Sequence, residues 1–225
     1  MRSAQALSEI SMALEPVGIF IRGVVQFSES EGLKLESGGA ARSIVLLGNI
    51  GGSIWPAFAR WRDENAGPDP LDTWSKAMIG PVARRLAATA YFPSDPPYQP
   101  FQRWALQAEN LNPSPLGILL HPRYGLWHGY RGALGFSFEV DCPPAADIKA
   151  IAELGSWEEA CVAACPTGAV TSTGFDVTRC WAYLKSEAGQ ATCMVSGCAS
   201  RNACPIGAEF RYPPDQLRFH MQALF

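Results

Sequence analysis

The chain has 225 residues and a mass of 24.3 kDa, with 48% hydrophobic side chains and a mean hydropathy of +0.00. At ~100–200 residues per domain this is enough for one filled core with a smaller module attached, and the composition is too apolar for a disordered chain. Eighteen basic side chains against 21 acidic ones give a net charge of -3, with only four lysines and no basic run to track a phosphate backbone, which argues against nucleic acid and against a tRNA substrate.

In chain order, Leu7, Ile10 and Leu14 share one face of a helix expected from its N-cap Ser3 to Pro16. This segment carries Glu9 and Glu15 and does not read as a secretory leader. No apolar run approaches the ~20 residues of a membrane-spanning helix. The expectation is a cytoplasmic protein, away from membranes, with reduced thiols. Gly18 to Phe27 and Ile44 to Gly48 read as strands. Gly51-Gly52 lacks the full G-x-G-x-x-G phosphate pattern and reads as a tight turn. It leads into a helix over Ser53 to Asp63 carrying Ile54, Phe58 and Trp61. Asp72 is placed to cap the next helix, with Trp74 and Met78, which Gly80-Pro81 should interrupt or kink.

Four prolines make Phe92 to Pro100 a loop. Gly117 to Leu120 and Leu126 to Phe138 read as paired strands turned at His121-Pro122-Arg123. An unbulged period of two puts Trp127, Gly129 and Arg131 on one face and His128 and Tyr130 on the other. Pro143-Pro144 marks a boundary. Pro213-Pro214 opens a last helix with Leu217, His220, Met221 and Leu224 on one face, expected to pack back on the first domain.

Between these proline pairs lies the densest chemical signal. Six of the seven cysteines (Cys161, Cys165, Cys180, Cys193, Cys198 and Cys204) crowd one stretch, and the seventh, Cys142, reads as a linker or buried cysteine. Ala164-Cys165-Pro166-Thr167-Gly168-Ala169 recurs as Ala203-Cys204-Pro205-Ile206-Gly207-Ala208. In bacterial ferredoxins the run is C-x2-C-x2-C-x3-C-P, and the cysteine before proline serves the other cluster. Cys161-x3-Cys165-Pro166 matches the end of that run, but Gly155 and Glu158 stand where its first two cysteines belong. The second half, Cys193-x4-Cys198-x5-Cys204-Pro205, is also off the spacing. The crossed pattern assigns one 4Fe-4S cluster to Cys165, Cys180, Cys193 and Cys198, leaving Cys161, Cys204 and Cys142 as remnants or an incomplete second site. Zinc, or loss of metal, stays open at these spacings.

Asp176-Val177-Thr178-Arg179-Cys180-Trp181-Ala182-Tyr183-Leu184, followed by a Cys-Pro motif, resembles the ferredoxin domain of epoxyqueuosine reductases over about residues 155–210. Those enzymes, like the reductive dehalogenases, place clusters beside a cobalamin. His121-Pro122-Arg123-Tyr124-Gly125-Leu126-Trp127 with Arg131-Gly132 resembles the signature of the cobalamin C-type trafficking proteins. Leu14-Glu15-Pro16-Val17-Gly18, Val45-Leu46-Leu47 and Asp69-Pro70-Leu71-Asp72 follow that family's order, over about residues 5–140.

The resemblance implies an α+β chain: a nitroreductase-like α/β sandwich over 1–142, a degenerate dicluster-ferredoxin-like module over 143–212 and a C-terminal helix over 213–225. It implies a corrin pocket with His121, Arg123, Gly125 and Trp127, and with Arg131 matching an arginine associated with thiol or cofactor binding; as an aromatic, Tyr130 also suits the wall around a flat, largely apolar ring. The animal family members have no cysteine module, so dependence on glutathione or an external flavoprotein does not carry over. A flavin in the nitroreductase-like pocket stays open, and a homodimer is expected by analogy.

Each candidate also has a structural reading. His121 and His128 suit hydrogen-bonded strand positions, Trp127 and Tyr130 suit a core, and Arg131 suits an ion pair. No Asp-x-His-x-x-Gly motif is present to supply a lower ligand to cobalt. No residue is singled out as catalytic. Three functions follow: an oxidoreductase that reduces cobalt or removes the upper ligand of a corrinoid with electrons from its own cluster, a non-catalytic cobalamin chaperone, and a ferredoxin-like electron carrier that docks a redox partner and binds no corrin.

Overall fold

The structure is a computed structural model and describes residues 2–28, 31–141 and 156–225. Cys142, Pro143-Pro144 and Gly155 lie outside the described residues. In chain order the elements are α1 (Arg2–Leu14), β1 (Phe20–Gln26), β2 (Ser43–Ile50), α2 (Trp55–Glu64), α3 (Pro70–Leu86), β3 (Thr89–Tyr91), α4 (Phe101–Ala108), β4 (Asn112–Pro113), β5 (Leu119–Leu120) and β6 (His128–Phe136). They continue as α5 (Trp157–Ala163), β7 (Val170–Thr171), β8 (Gly174–Phe175), α6 (Val177–Lys185), α7 (Glu187–Ala191), α8 (Cys193–Ser196), α9 (Ala199–Ala203) and α10 (Pro214–Gln222). This mixed α+β chain divides into two compact units: Met1–Asn110 with Gly129–Ala146, and Leu111–His128 with Asp147–Phe225.

The first unit is built on a four-stranded sheet of order β1-β2-β6-β3, in which β1 runs antiparallel to β2 and β3 to β6. Seven of the eight residues of β2 are buried, so it reads as an unbroken apolar run rather than an alternating one. β1 bulges between Ile21 and Gly23. A Cβ on Gly23 would come within 2.9 Å of Ala108 on α4, so glycine there lets α4 lie close against the strand.

Three local expectations change. α3 runs unbroken from Pro70 to Leu86 with Pro81 inside it. Gly80 has no Cβ to meet the proline ring, and burial of Trp74, Ile79, Val82 and Ala83 outweighs the missing amide bond. Asp72 sits in the first turn of α3, while Asp69 takes the N-cap position with φ +46°. The Gly117–Leu120 segment also pairs differently: Leu120 stands opposite Asn112 on β4 instead of on the strand that follows. The cause is a closed turn, in which His121 and Gly125 exchange backbone bonds of 2.9 and 2.8 Å and Trp127 N donates to Tyr124 O at 3.0 Å. Residues 126 and 127 are thereby held out of the strand, and β6 starts at His128.

The second unit consists of short helices around cysteines. α5 packs on α9, α6 turns sharply into α7, and α10 packs on α8. Thus the contacts of α10 within this unit are with the cysteine-bearing helices, where Met221 joins Leu184 and Cys193, while Leu217 joins Trp127 and Tyr212.

Candidate metal centre

The repeat seen in the sequence reappears as geometry. α5 runs into Cys165-Pro166 and α9 into Cys204-Pro205, and the glycine two residues beyond each proline is left-handed, φ +64° at Gly168 and +65° at Gly207. Each Cys-Pro thus sits at a helix end, where the chain reverses tightly.

Cys165, Cys180, Cys193 and Cys198 line one small cavity of about 30 Å³, the four thiols assigned to one cluster by the crossed pattern. Each is placed by a local device. Cys180 sits in the first turns of α6, whose N-cap Asp176 accepts from Arg179 N at 2.9 Å. Cys193 opens α8, and Gly197 (φ +87°) turns the chain from α8 to Cys198 at the head of α9, with Leu217 of α10 within 3.0 Å of a Cβ built there. Tyr183 and Thr192 share a 2.9 Å hydroxyl bond that ties α6 to the segment before Cys193. The rest of the wall is mostly apolar, including Val170, Phe175, Leu184, Ala199 and Met221.

Burial and local N–H groups pull these thiols in opposite directions. Burial works to raise the Cys165 thiol, but the N–H groups of Thr167, Val170 and Ala169, with the Thr167 hydroxyl, bring it down to about 7. Cys198 is pushed up by burial, opposed by the N–H groups of Arg201 and Ser200. Cys180 is pushed up to about 11 by burial and then by Cys198, Cys165 and Cys193, so it feels each of the other three thiols. The Ser200 hydroxyl, also on this wall, is buried with no partner among the described residues. Among the described residues no three His, Cys, Asp or Glu side chains converge closely enough to hold a single metal ion.

Cys161 and Cys204 stand apart as a second pair. They are 0% and 1% exposed, and Cys161 donates to Cys204, which raises the first thiol and lowers the second. Leu120, Leu126, Trp157 and Ile206 pack around them, where a second crossed site would need room. Glu158, at one of the positions a further cysteine would occupy, is exposed on α5.

The six corrin candidates divide between the units. In the second, His121 is buried, and its Nδ1 accepts from Arg123 N and Tyr124 N at 3.0 and 3.1 Å, so the ring closes its own turn and carries its proton on Nε2. Arg123 is the exposed member, with its guanidinium over Tyr124. Gly125 has φ +57°, and a Cβ there would fall 1.8 Å from Ile206 O, while one on Gly207 would fall 2.3 Å from the Tyr124 carbonyl carbon. The glycine of the His-Pro-Arg motif and that of the second Cys-Pro repeat therefore face each other backbone to backbone. Trp127 is 0% exposed, in edge contact with Tyr212, under the Arg201 guanidinium at 4.5 Å, and its indole N–H has no partner among the described residues. Arg201 donates to Leu126 O from both Nε and Nη2, at 3.1 and 2.5 Å.

In the first unit, Tyr130 donates a very short bond to Glu109, which also accepts from Arg22 Nε and Nη2 at 3.0 and 3.2 Å. Burial pushes both the Glu109 carboxyl and the Tyr130 phenol up, with Arg22 opposing it at each. The guanidinium of Arg131 lies beside Gly129, next to the buried Asn49 side chain. Arg22, Glu109 and Asn49 had no motif to mark them; a buried arginine on a strand is visible only once its partner is placed.

No family model matches the chain, and no curated protein does. Among solved structures it is similar to a C. elegans B12-trafficking protein, CblC, described as a human MMACHC homologue, at 11% identity and a TM-score of 0.48 over 98% of this chain and 91% of that one.

Proposed function

We propose that the chain is an iron–sulfur protein that takes a corrinoid as substrate, reducing cobalt or assisting removal of its upper ligand. The observation that carries the first half is the convergence of Cys165, Cys180, Cys193 and Cys198 on one cavity. Four thiols around a volume suit a polynuclear cluster, whereas thiolates on one zinc ion at ~2.3 Å would crowd a point. A 4Fe-4S cluster there supplies one-electron chemistry in the range of about -700 to +450 mV.

The chain's own residues do the rest. The N–H groups after Cys165 hold it toward its thiolate, the form that ligates metal, and those after Cys198 oppose the burial that pushes its thiol up. Val170, Leu184 and Met221 keep the wall dry. The pair Cys161 and Cys204, enclosed in apolar packing, holds a proton between two sulfurs and is read as structural, so one cluster is proposed, not two.

The corrin half rests on the His121 to Trp127 motif with Arg131-Gly132. A corrin is a flat apolar ring edged with amides, and Arg123, exposed beside Tyr124, is the donor best placed to meet them. A second reading, an electron carrier that binds no corrin, is favoured by one observation: His121, Gly125 and Trp127 are each fully engaged in local packing. An anaerobic visible titration of the iron-sulfide-reconstituted protein with hydroxocobalamin, before and after dithionite, separates the two. Corrin bands that move on binding and again on reduction support the corrinoid reading, and a spectrum that stays that of free cobalamin leaves the electron carrier.

A further inference from the structure

We propose that the Ser200 hydroxyl donates a hydrogen bond to a sulfur of the cluster and thereby raises its reduction potential; the inference rests on the cluster reading above. Ser200 is 1% exposed, lines the four-thiol cavity, and its Oγ is buried without a partner among the described residues. A buried hydroxyl left unpaired is costly, and such a group in a folded protein calls for an unseen partner. The usual local outlet for a helical serine, the carbonyl four residues back, is Ser196 O, which already accepts from Asn202 Nδ2 at 2.8 Å. The cavity that Ser200 lines offers the hydroxyl its acceptor.

The sequence adds an independent observation. Cys161-x3-Cys165-Pro166 aligns on the internal repeat with Ser200-x3-Cys204-Pro205. Ser200 therefore stands where the ferredoxin run has a cluster-ligating cysteine, and oxygen replaces sulfur at a position whose side chain faces a cluster. With Cys165, Cys180, Cys193 and Cys198 already supplying four thiolates, the hydroxyl is left as a donor. Reduction adds negative charge to the cluster, so a donor to its sulfur favours the reduced form.

The test compares the reconstituted parent, Ser200→Ala and Ser200→Cys by iron and sulfide content and by an EPR-monitored potentiometric titration. The expected result is about four irons in all three. Ser200→Ala should shift the reduction equilibrium about tenfold toward the oxidised state, ~59 mV lower for one electron, with Ser200→Cys between the two because S–H is the weaker donor. Equal potentials in parent and Ser200→Ala would overturn the donor role while leaving the cluster in place. Loss of one iron in Ser200→Ala would make Ser200 a ligand, which also overturns it. Failure of the parent itself to take up iron would remove the cluster reading on which it stands.

Discussion

Gly125→Ala isolates the contact between the two motifs. At φ +57° an alanine carries left-handed strain of about 1–2 kcal/mol, and its Cβ, built 1.8 Å from Ile206 O and 2.7 Å from Ile206 C, forces one backbone away from the other. Overpacking against backbone adds about 1–3 kcal/mol, for a total of roughly 2–5 kcal/mol. Gly168→Ala is the internal control. It has nearly the same dihedral, φ +64°, but a Cβ there meets only Arg179 Nη1 at 3.7 Å, so strain alone remains, partly offset by the lost flexibility of the unfolded chain. Equilibrium urea unfolding should place Gly125→Ala about 1–3 kcal/mol below Gly168→Ala, or ~0.5–1.5 M in midpoint for a slope of ~2 kcal/mol/M. Equal midpoints would refute the claim that Gly125 is required by close approach rather than by its dihedral.

Three other outcomes are expected. Glu109→Ala removes the carboxylate that pairs with the buried Arg22 guanidinium and should cost about 3–5 kcal/mol, against about 1–3 for Tyr130→Phe; thermal unfolding in which Tyr130→Phe is the worse variant would contradict the network as described. Arg201→Lys loses the two-nitrogen bond to Leu126 O and the stacking on Trp127 and Tyr212, about 2 kcal/mol, and a neutral result would show that the guanidinium plane does not matter. In metal-free protein, iodoacetamide should alkylate Cys165 first: its thiol sits at about 7, so it is a thiolate above that pH and loses reactivity below it, while Cys180 stays protonated until about 11. Mass mapping that finds Cys180 modified before Cys165 would reverse that order.

Much of this is legible in the sequence because it is written in short-range signals. Proline pairs, apolar runs and 3.6-residue spacing mark α1, β1, β2, α2 and α10, and the Cys-Pro-X-Gly-Ala repeat marks the helix ends that carry Cys165 and Cys204. α4 carried a readable stripe too, with Phe101, Trp104 and Ala105 buried at helical spacing behind the proline-rich loop. What local pattern could not give was competition between local and distant bonds. The turn at His121 closes on its own ring nitrogen and so breaks the expected strand pair. α3 survives Pro81 through burial that only the folded unit supplies. Ser200 looks like any helical serine until the repeat and the cavity are seen together.

The account turns on which thiols hold the cluster, and a cysteine-to-serine scan after anaerobic reconstitution tests that directly. Iron content near four per chain in the parent should collapse when Cys165, Cys180, Cys193 or Cys198 is replaced, and should persist in Cys161→Ser and Cys204→Ser. Retention of the cluster in any of the first four, or its loss with the Cys161 and Cys204 pair, would contradict the assignment.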